Sequence, residues 1–196
     1  NSLDITGDLT ISGWYKTPSG QSDHGIIIDK GYSDTWRIYT NRTDMNAPLV
    51  YVGNGYIVAS SDYADGLWHF MTVVYSDTGN YLKLYMDGSL DTEDTSFTNT
   101  LSTNSNVMRI GSTYSGGYYH SGQITGVNIF DVALSSSEIT ELYAIDKRSS
   151  ISGHSQFGNC VSSWLMGAGS GDTTSTIQDQ TSENNDATVS GASLVG

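Results

Sequence analysis

Apolar and polar residues alternate with a period of two through about the first 130 positions, and turn residues separate the runs. Leu9, Ile11, Gly13 and Tyr15 fall on one side of a strand; Thr10, Ser12, Trp14 and Lys16 fall on the other. Residues 26–28 and 36–39 make two further strands. Residues 49–52 and 56–59 flank Gly53-Asn54-Gly55 and read as a hairpin. A long strand over 68–75 ends at the turn Ser76-Asp77-Thr78-Gly79-Asn80. Residues 81–86 then alternate cleanly and stop at Asp87-Gly88. The polar stretch 90–106, with Phe97 inside it, reads as a short edge strand or a loop. Strands follow at 107–110 and 122–130. In the last of these the apolar phase slips at Thr125-Gly126, which predicts a β-bulge with glycine at the irregular position.

One helix is expected, over 135–144. Ser135 and Glu138 form an S-x-x-E capping box, Leu134 and Ile139 stand at staple spacing, and Ile139, Leu142 and Tyr143 share one face. Two turns cannot stand alone in water, so the helix must pack on a sheet. Residues 146–159 read as a linker. From Cys160 strand character returns at 161–166 and 174–177, and weakly at 187–189 and 193–195, around a polar turn at 179–186. These elements predict an all-β fold: a two-sheet antiparallel jelly roll with one short helix.

Composition narrows the partners. Eight basic residues against 21 acidic ones leave a net charge of −13. Nucleic acid or an anionic membrane would need a basic surface, so neither is expected. No apolar run approaches the ~20 residues that cross a bilayer, so no membrane insertion is expected. The 13 tyrosines and four tryptophans separate the chain from disordered polar sequences. It opens on Asn1 and reads as a processed or excised piece of something larger. Cys160 is the lone cysteine and is expected to be a small buried residue.

Four pieces in order resemble laminin G-like domains of the concanavalin A-like lectin/glucanase superfamily. They are Leu9-Thr10-Ile11-Ser12-Gly13-Trp14-Tyr15-Lys16; Asp65-Gly66-Leu67-Trp68-His69-Phe70; Leu82-Lys83-Leu84-Tyr85-Met86-Asp87-Gly88; and Ile110-Gly111 through Gly122-Gln123-Ile124, Phe130 and Ala133-Leu134-Ser135 to Glu138-Ile139. The resemblance implies the same jelly roll. It also implies core positions for Trp14 and Trp68, whose truncation would then cost about 3–5 kcal/mol each, and a structural role for His69. Trp164-Leu165-Met166-Gly167, Asp172, Ile177, Asp179 and 184–188 resemble the block that opens such domains, here placed last. Residues 1–196 then read as one domain, with 160–196 as permuted terminal strands that complete the sandwich of the same chain or of a neighbouring copy. A similar tail arrangement is associated with modules in phage and environmental virus structural proteins. The superfamily's common calcium site uses an acidic pair in the closing strand; Thr125-Gly126 stand there instead.

Candidate chemistry is sparse. Glycosidases need two carboxylates flanking one bond, and none of the four Glu lies on an expected strand, so the chain is not expected to be an enzyme. The richest constellation is the loop 112–121, with Tyr114, Tyr118, Tyr119 and His120. Aromatic faces with a polar rim suit sugars, and Asp62, Tyr63, Asp65, Trp36 and Arg37 are further candidates for that rim, which the sequence alone does not place. Acidic, amide-rich turns are the calcium candidates: Asp77 with Asn80, and Asp179 with Asn184 and Asp186. The same residues also read as solvated turn acids. The expected function is a non-catalytic carbohydrate-binding or adhesion module, with a glycan or surface receptor as partner, on an extracellular or virion surface. The alternative is a structural subunit that self-associates: a virion decoration, tail-fibre or filament protein. A polysaccharide-degrading enzyme is the distant third.

Overall fold

In the computed structural model of the chain, which describes residues 2–20, 24–31, 34–42 and 47–194, the alternating runs become antiparallel strands. These are β1 (Leu9–Lys16), β2 (Gly25–Asp29), β3 (Trp36–Arg42), β4 (Ala47–Val52), β5 (Gly55–Val58), β6 (Trp68–Ser76), β7 (Tyr81–Met86), β8 (Ser89–Asp94), β9 (Arg109–Ile110) and β10 (Gln123–Phe130). The helix α1 (Ser136–Tyr143) and the strands β11 (Cys160–Trp164), β12 (Thr176–Ile177) and β13 (Ala187–Thr188) follow. Among the described residues, β11-β10-β1-β6-β7-β8 form one sheet, β5-β4-β3-β2-β9 a second, and β12-β13 a small ribbon. The protein is an all-β, two-sheet antiparallel sandwich with one short helix. No helix of the described residues is long and apolar enough to cross a membrane.

Period two decides which side chains meet. Leu9, Ile11 and Tyr15 of β1 point inward and join Val73, Leu84 and Ile129 against Trp36, Ile38 and Val50 of the second sheet. Each such side chain contributes roughly 1.5–3 kcal/mol on burial. The outer face of the six-stranded sheet is also covered over half its length. Phe70, Val74 and Phe130 pack there against Leu134, Ile139, Leu142 and Ile151. α1 is therefore held by an apolar face, as its shortness requires. Its capping box is formed: the Ser135 Oγ accepts the Glu138 N–H, and the Glu138 carboxylate accepts the Ser135 N–H at 2.7 Å.

Three expectations need correction. Residues 146–159 are not a linker but a packed strap: Ile151 and His154 are buried, and His154 Nε2 lies 2.9 Å from the Glu138 carbonyl. Trp14 and Trp68 are only partly buried; the fully buried indoles are Trp36 and Trp164, at 2% and 1% exposure. Residues 193–194 form no strand, and Val195 lies outside the described residues. The bulge is where the phase slip puts it. Ser12 pairs with Asn128 but Trp14 with Thr125, and Gly126 takes a φ of +57°.

Residues 160–194 carry β11, β12 and β13. β11 extends the six-stranded sheet beside β10, and Trp164 enters the main core. The Trp164 indole N–H donates to the Asn185 carbonyl at 2.9 Å, tying β11 to the turn that follows β12. Cys160 is buried, and burial pushes its thiol up to about 12.

Candidate ligand-binding face

The outward positions of the second sheet carry an unusual set of side chains. Alternation on β3 sends Trp36 and Ile38 into the core and leaves Arg37 and Tyr39 on the opposite face. Gly53, at φ +54°, takes the first position of the two-residue β4–β5 turn and fixes its register. That register sets Tyr51 opposite both Tyr56 and Arg37. The rings of Tyr39 and Tyr51 are 6.2 Å apart, and those of Tyr51 and Tyr56 are 5.4 Å apart. Arg37 lies over Tyr39 at 5.9 Å and Arg42 over Tyr51 at 6.0 Å. The Arg42 guanidinium also donates to the Tyr51 hydroxyl at 2.6 Å.

The loop 112–121 meets this face at its other end. Asp29 of β2 is fully buried and organises the junction. Its Oδ2 pairs with Arg37 Nη2 at 2.9 Å and accepts the Tyr114 N–H at 2.8 Å, while its Oδ1 accepts the Gly31 N–H at 2.8 Å. The loop closes on itself: the Thr113 and Gly116 N–H groups donate to the Gly117 and Thr113 carbonyls, and the His120 N–H donates to the Gly111 carbonyl. Tyr118, at φ +45°, stacks on His24 at 4.7 Å, and His24 meets the Tyr39 edge at 5.8 Å. An aromatic row thus runs Tyr118, His24, Tyr39, Tyr51, Tyr56. Tyr56 and Tyr118, at its ends, are about half exposed, at 49% and 54%; His24 and Tyr51 are partly buried, and Tyr39 and Arg37 are buried beneath them.

Of the ligand residues expected from sequence, Tyr114, Tyr118 and Arg37 are brought together here. Tyr119 is exposed on the same loop. His120 turns inward, with Nδ1 at 3.2 Å from Thr40 Oγ1, and burial pushes its pKa below the usual histidine value. Trp36 is a core residue and offers no face to a ligand. His24, Tyr39, Arg42, Tyr51 and Tyr56 were missed. Their signal was the register of the Gly53-Asn54-Gly55 hairpin, which sets Tyr51 and Tyr56 side by side.

The calcium candidates occupy two separate turns. Asp77 Oδ1 accepts the Tyr75 hydroxyl at 2.9 Å, and Asn80, at φ +52°, offers its carbonyl to the Phe97 N–H. Asp179 is 8% exposed, and both its oxygens are engaged. Oδ1 accepts the Ser163 and Thr181 N–H groups at 2.9 and 3.0 Å; Oδ2 accepts the Asn185 N–H and the Thr181 and Ser162 hydroxyls at 3.0, 2.9 and 3.2 Å. Asp186 accepts the Asp179 N–H, and Asn184 is exposed. Calcium takes six to eight oxygens, whereas both Asp179 oxygens are ringed by hydrogen-bond donors, an arrangement that does not suit a cation. Among the described residues no three His, Cys, Asp or Glu side chains are grouped to hold a metal ion.

His69 joins two of the quoted motifs. Its Nδ1 is 2.8 Å from Asp87 Oδ2 and its Nε2 is 3.1 Å from Asp65 Oδ1, with the Tyr63 ring at 5.0 Å. Burial opposes its protonation, but hydrogen bonds to Asp87 and then Asp65 outweigh it and raise the pKa.

Comparison with known proteins agrees with the fold. No curated protein sequence matches the chain. A candidate carbohydrate-binding protein from Bacteroides ovatus superposes with a TM-score of 0.73 at 13% identity, over 94% of this chain and 52% of that one. This chain therefore spans about half the length of that protein. A heptameric SAP-like pentraxin from Limulus polyphemus gives 0.56 at 19% identity over 72% of both chains. The binding domain of Paraclostridial Mosquitocidal Protein 1 gives 0.53 at 14% identity, over 72% of this chain and 38% of that one. The laminin G-type family model described as the concanavalin A-like lectin/glucanases superfamily matches residues 1–140, and with this sandwich beneath that match the chain belongs to the concanavalin A-like superfamily.

Proposed function

We propose that the protein is a non-catalytic glycan-binding module of an extracellular surface, and that it holds its ligand on the outer face of β3-β4-β5 together with the loop 112–121. The aromatic row from Tyr118 to Tyr56 carries this reading. Sugar C–H faces pack on aromatic rings, and phenol, imidazole and guanidinium groups along the row can bond the hydroxyls. The exposed rings Tyr118 and Tyr56 stand at opposite ends of the row, which suits a chain of sugars better than a small metabolite. Hydrolysis would need a carboxylate pair flanking the bond. The carboxylate joined to this face, Asp29, is fully buried and spent on Arg37, Tyr114 and Gly31. The binding descriptions of the Bacteroides and Paraclostridial neighbours support a recognition role.

A glycan array followed by calorimetric titration tests the proposal. Tyr56→Ala and Tyr118→Ala, both at exposed positions, are each expected to weaken binding of the selected glycan about tenfold with an unchanged melting temperature. Failure to bind any arrayed neutral glycan, or equal binding by both variants, would refute it.

A further inference from the structure

The six-stranded sheet has a second surface that the ligand-binding face does not use. α1 and the strap cover only the Phe70–Val74–Phe130 half of its outer side. On the other half, cross-strand register sets Trp14 opposite Phe70 and Thr125, and Lys16 opposite Trp68 and Gln123. Opposed side chains on one face of such a sheet stand about 5 Å apart at Cβ. Trp14 and Trp68 are the two partly buried tryptophans, Trp14 at the edge of the Phe70–Phe130 cluster. Trp14 stacks on Tyr143 at 5.6 Å with 25° between planes, and Lys147 places its ammonium 5.7 Å from the Trp68 ring. Trp14, Tyr143, Ala144, Ile145, Asp146 and Lys147 line a shallow cleft of about 320 Å³. That volume is at the small end of ligand sites. The bulge lets Trp14 and the strap approach each other: a side chain at Gly126 would stand 3.0 Å from the Lys147 carbonyl and 3.4 Å from Trp14.

Charge identifies the occupant. In a chain with 21 acidic and eight basic residues, most cations should find a carboxylate. Lys30 pairs with Asp4, Lys83 with Glu93 and Arg37 with Asp29. Lys16, Lys147, Arg109 and Arg148 pair with no carboxylate among the described residues, and of these Lys16 and Lys147 flank Trp68. Lys147 lines the cleft and joins it to the partly buried Trp68 indole and to Lys16 opposite it, so two ammonium groups stand beside an apolar platform. Asp146 at the rim, whose Oδ1 accepts the Arg148 N–H, leaves its other oxygen to accept a hydroxyl.

We propose that this cleft is a second saccharide subsite, specific for an acidic pyranose. The ring C–H face of a uronic acid residue lies on the indole platform, its carboxylate is held between Lys16 and Lys147, and a hydroxyl donates to Asp146. The site stands on the opposite sheet from the aromatic row and is independent of it.

Titration of the full chain with tetragalacturonate, tetramannuronate and a hyaluronan tetrasaccharide tests this, with cellotetraose as the neutral control. Tryptophan fluorescence is a direct readout, because Trp36 and Trp164 are buried and Trp14 and Trp68 are not. At least one acidic tetrasaccharide is expected to shift the emission saturably, and cellotetraose is not expected to shift it. Raising sodium chloride to 0.5 M should weaken the response at least fivefold. The double variant Lys16→Gln/Lys147→Gln, which leaves the indoles in place, should lose at least tenfold in affinity, while Tyr56→Ala should bind the acidic probe as wild type does. No response to any of the three probes, or undiminished binding by the double variant, would overturn the subsite. Loss in Tyr56→Ala alone would move the acidic sugar to the aromatic row and overturn it equally.

Discussion

Replacing Asp179 with Ala should destabilise the protein out of proportion to the loss of one turn carboxylate. The side chain is 8% exposed and accepts three backbone N–H groups, from Ser163, Thr181 and Asn185, besides two hydroxyls. The hydroxyls can rotate towards other acceptors, but the three N–H groups cannot. Each buried donor left without a partner costs about 1–3 kcal/mol, and water can reach some of them, so roughly 3–6 kcal/mol is expected in total. That is a large part of the ~5–15 kcal/mol that holds a domain together. At about 2–4 °C per kcal/mol for a chain of this size, the melting temperature should fall by roughly 10–20 °C. Asp179→Asn keeps the shape and one acceptor oxygen, so it should cost about half as much. Differential scanning calorimetry of the two variants beside wild type reads both numbers. A fall of less than about 3 °C in Asp179→Ala would show that the turn after β12 is not locked to β11 as described, and the ordering Ala worse than Asn must hold.

Three further outcomes follow from the same geometry. The pKa of His69 is raised in the folded state, so its contribution to stability is fully present below about pH 6.5 and is lost as pH rises through the folded value. The melting temperature of wild type relative to His69→Gln should therefore decline from about pH 6.5 upward, and parallel pH profiles would contradict the Asp65–His69–Asp87 clasp. Gly126→Ala forces a side chain into φ +57° and against the Lys147 carbonyl, and should cost about 1–3 kcal/mol in urea unfolding. Excess chelator should leave the melting temperature within about 1 °C, because Asp77 and Asp179 already accept protein donors; a clear drop would restore calcium to these turns.

Much of the fold was legible because its period is short. In β1 the split between Leu9, Ile11, Tyr15 and Thr10, Ser12, Trp14 is the split between the two sides of the sheet. The Thr125-Gly126 slip and the Ser135–Glu138 box are local signals, and local geometry realises both. What lies over a face is not local. Trp14 and Trp68 were assigned to the core from their strands, but parity gives only the side, and what lies over them there is the end of α1, where Tyr143 stacks on Trp14, and the Lys147 ammonium over Trp68. The strap at 146–159 looked like a linker because two residues, Ile151 and His154, make its buried contacts. The aromatic row was half visible: the loop tyrosines stood out as a cluster, whereas Tyr39, Tyr51 and Tyr56 are spread over three strands and meet only through cross-strand register. The reverse error, Trp36, came from treating an aromatic beside Arg37 as a rim residue, when strand alternation sends neighbours to opposite faces.

The central claim is that β3, β4, β5 and the loop 112–121 form the ligand face. Amide chemical-shift mapping by NMR, on titrating an isotope-labelled sample with the neutral oligosaccharide selected on the array, tests it most directly. The account predicts that the shifted amides cluster at Arg37–Tyr39, Tyr51, Tyr56 and Tyr114–His120, with those of β7, β8 and α1 unmoved. Shifts centred on β7, β8 or α1, or no shifts at saturating sugar, would contradict it.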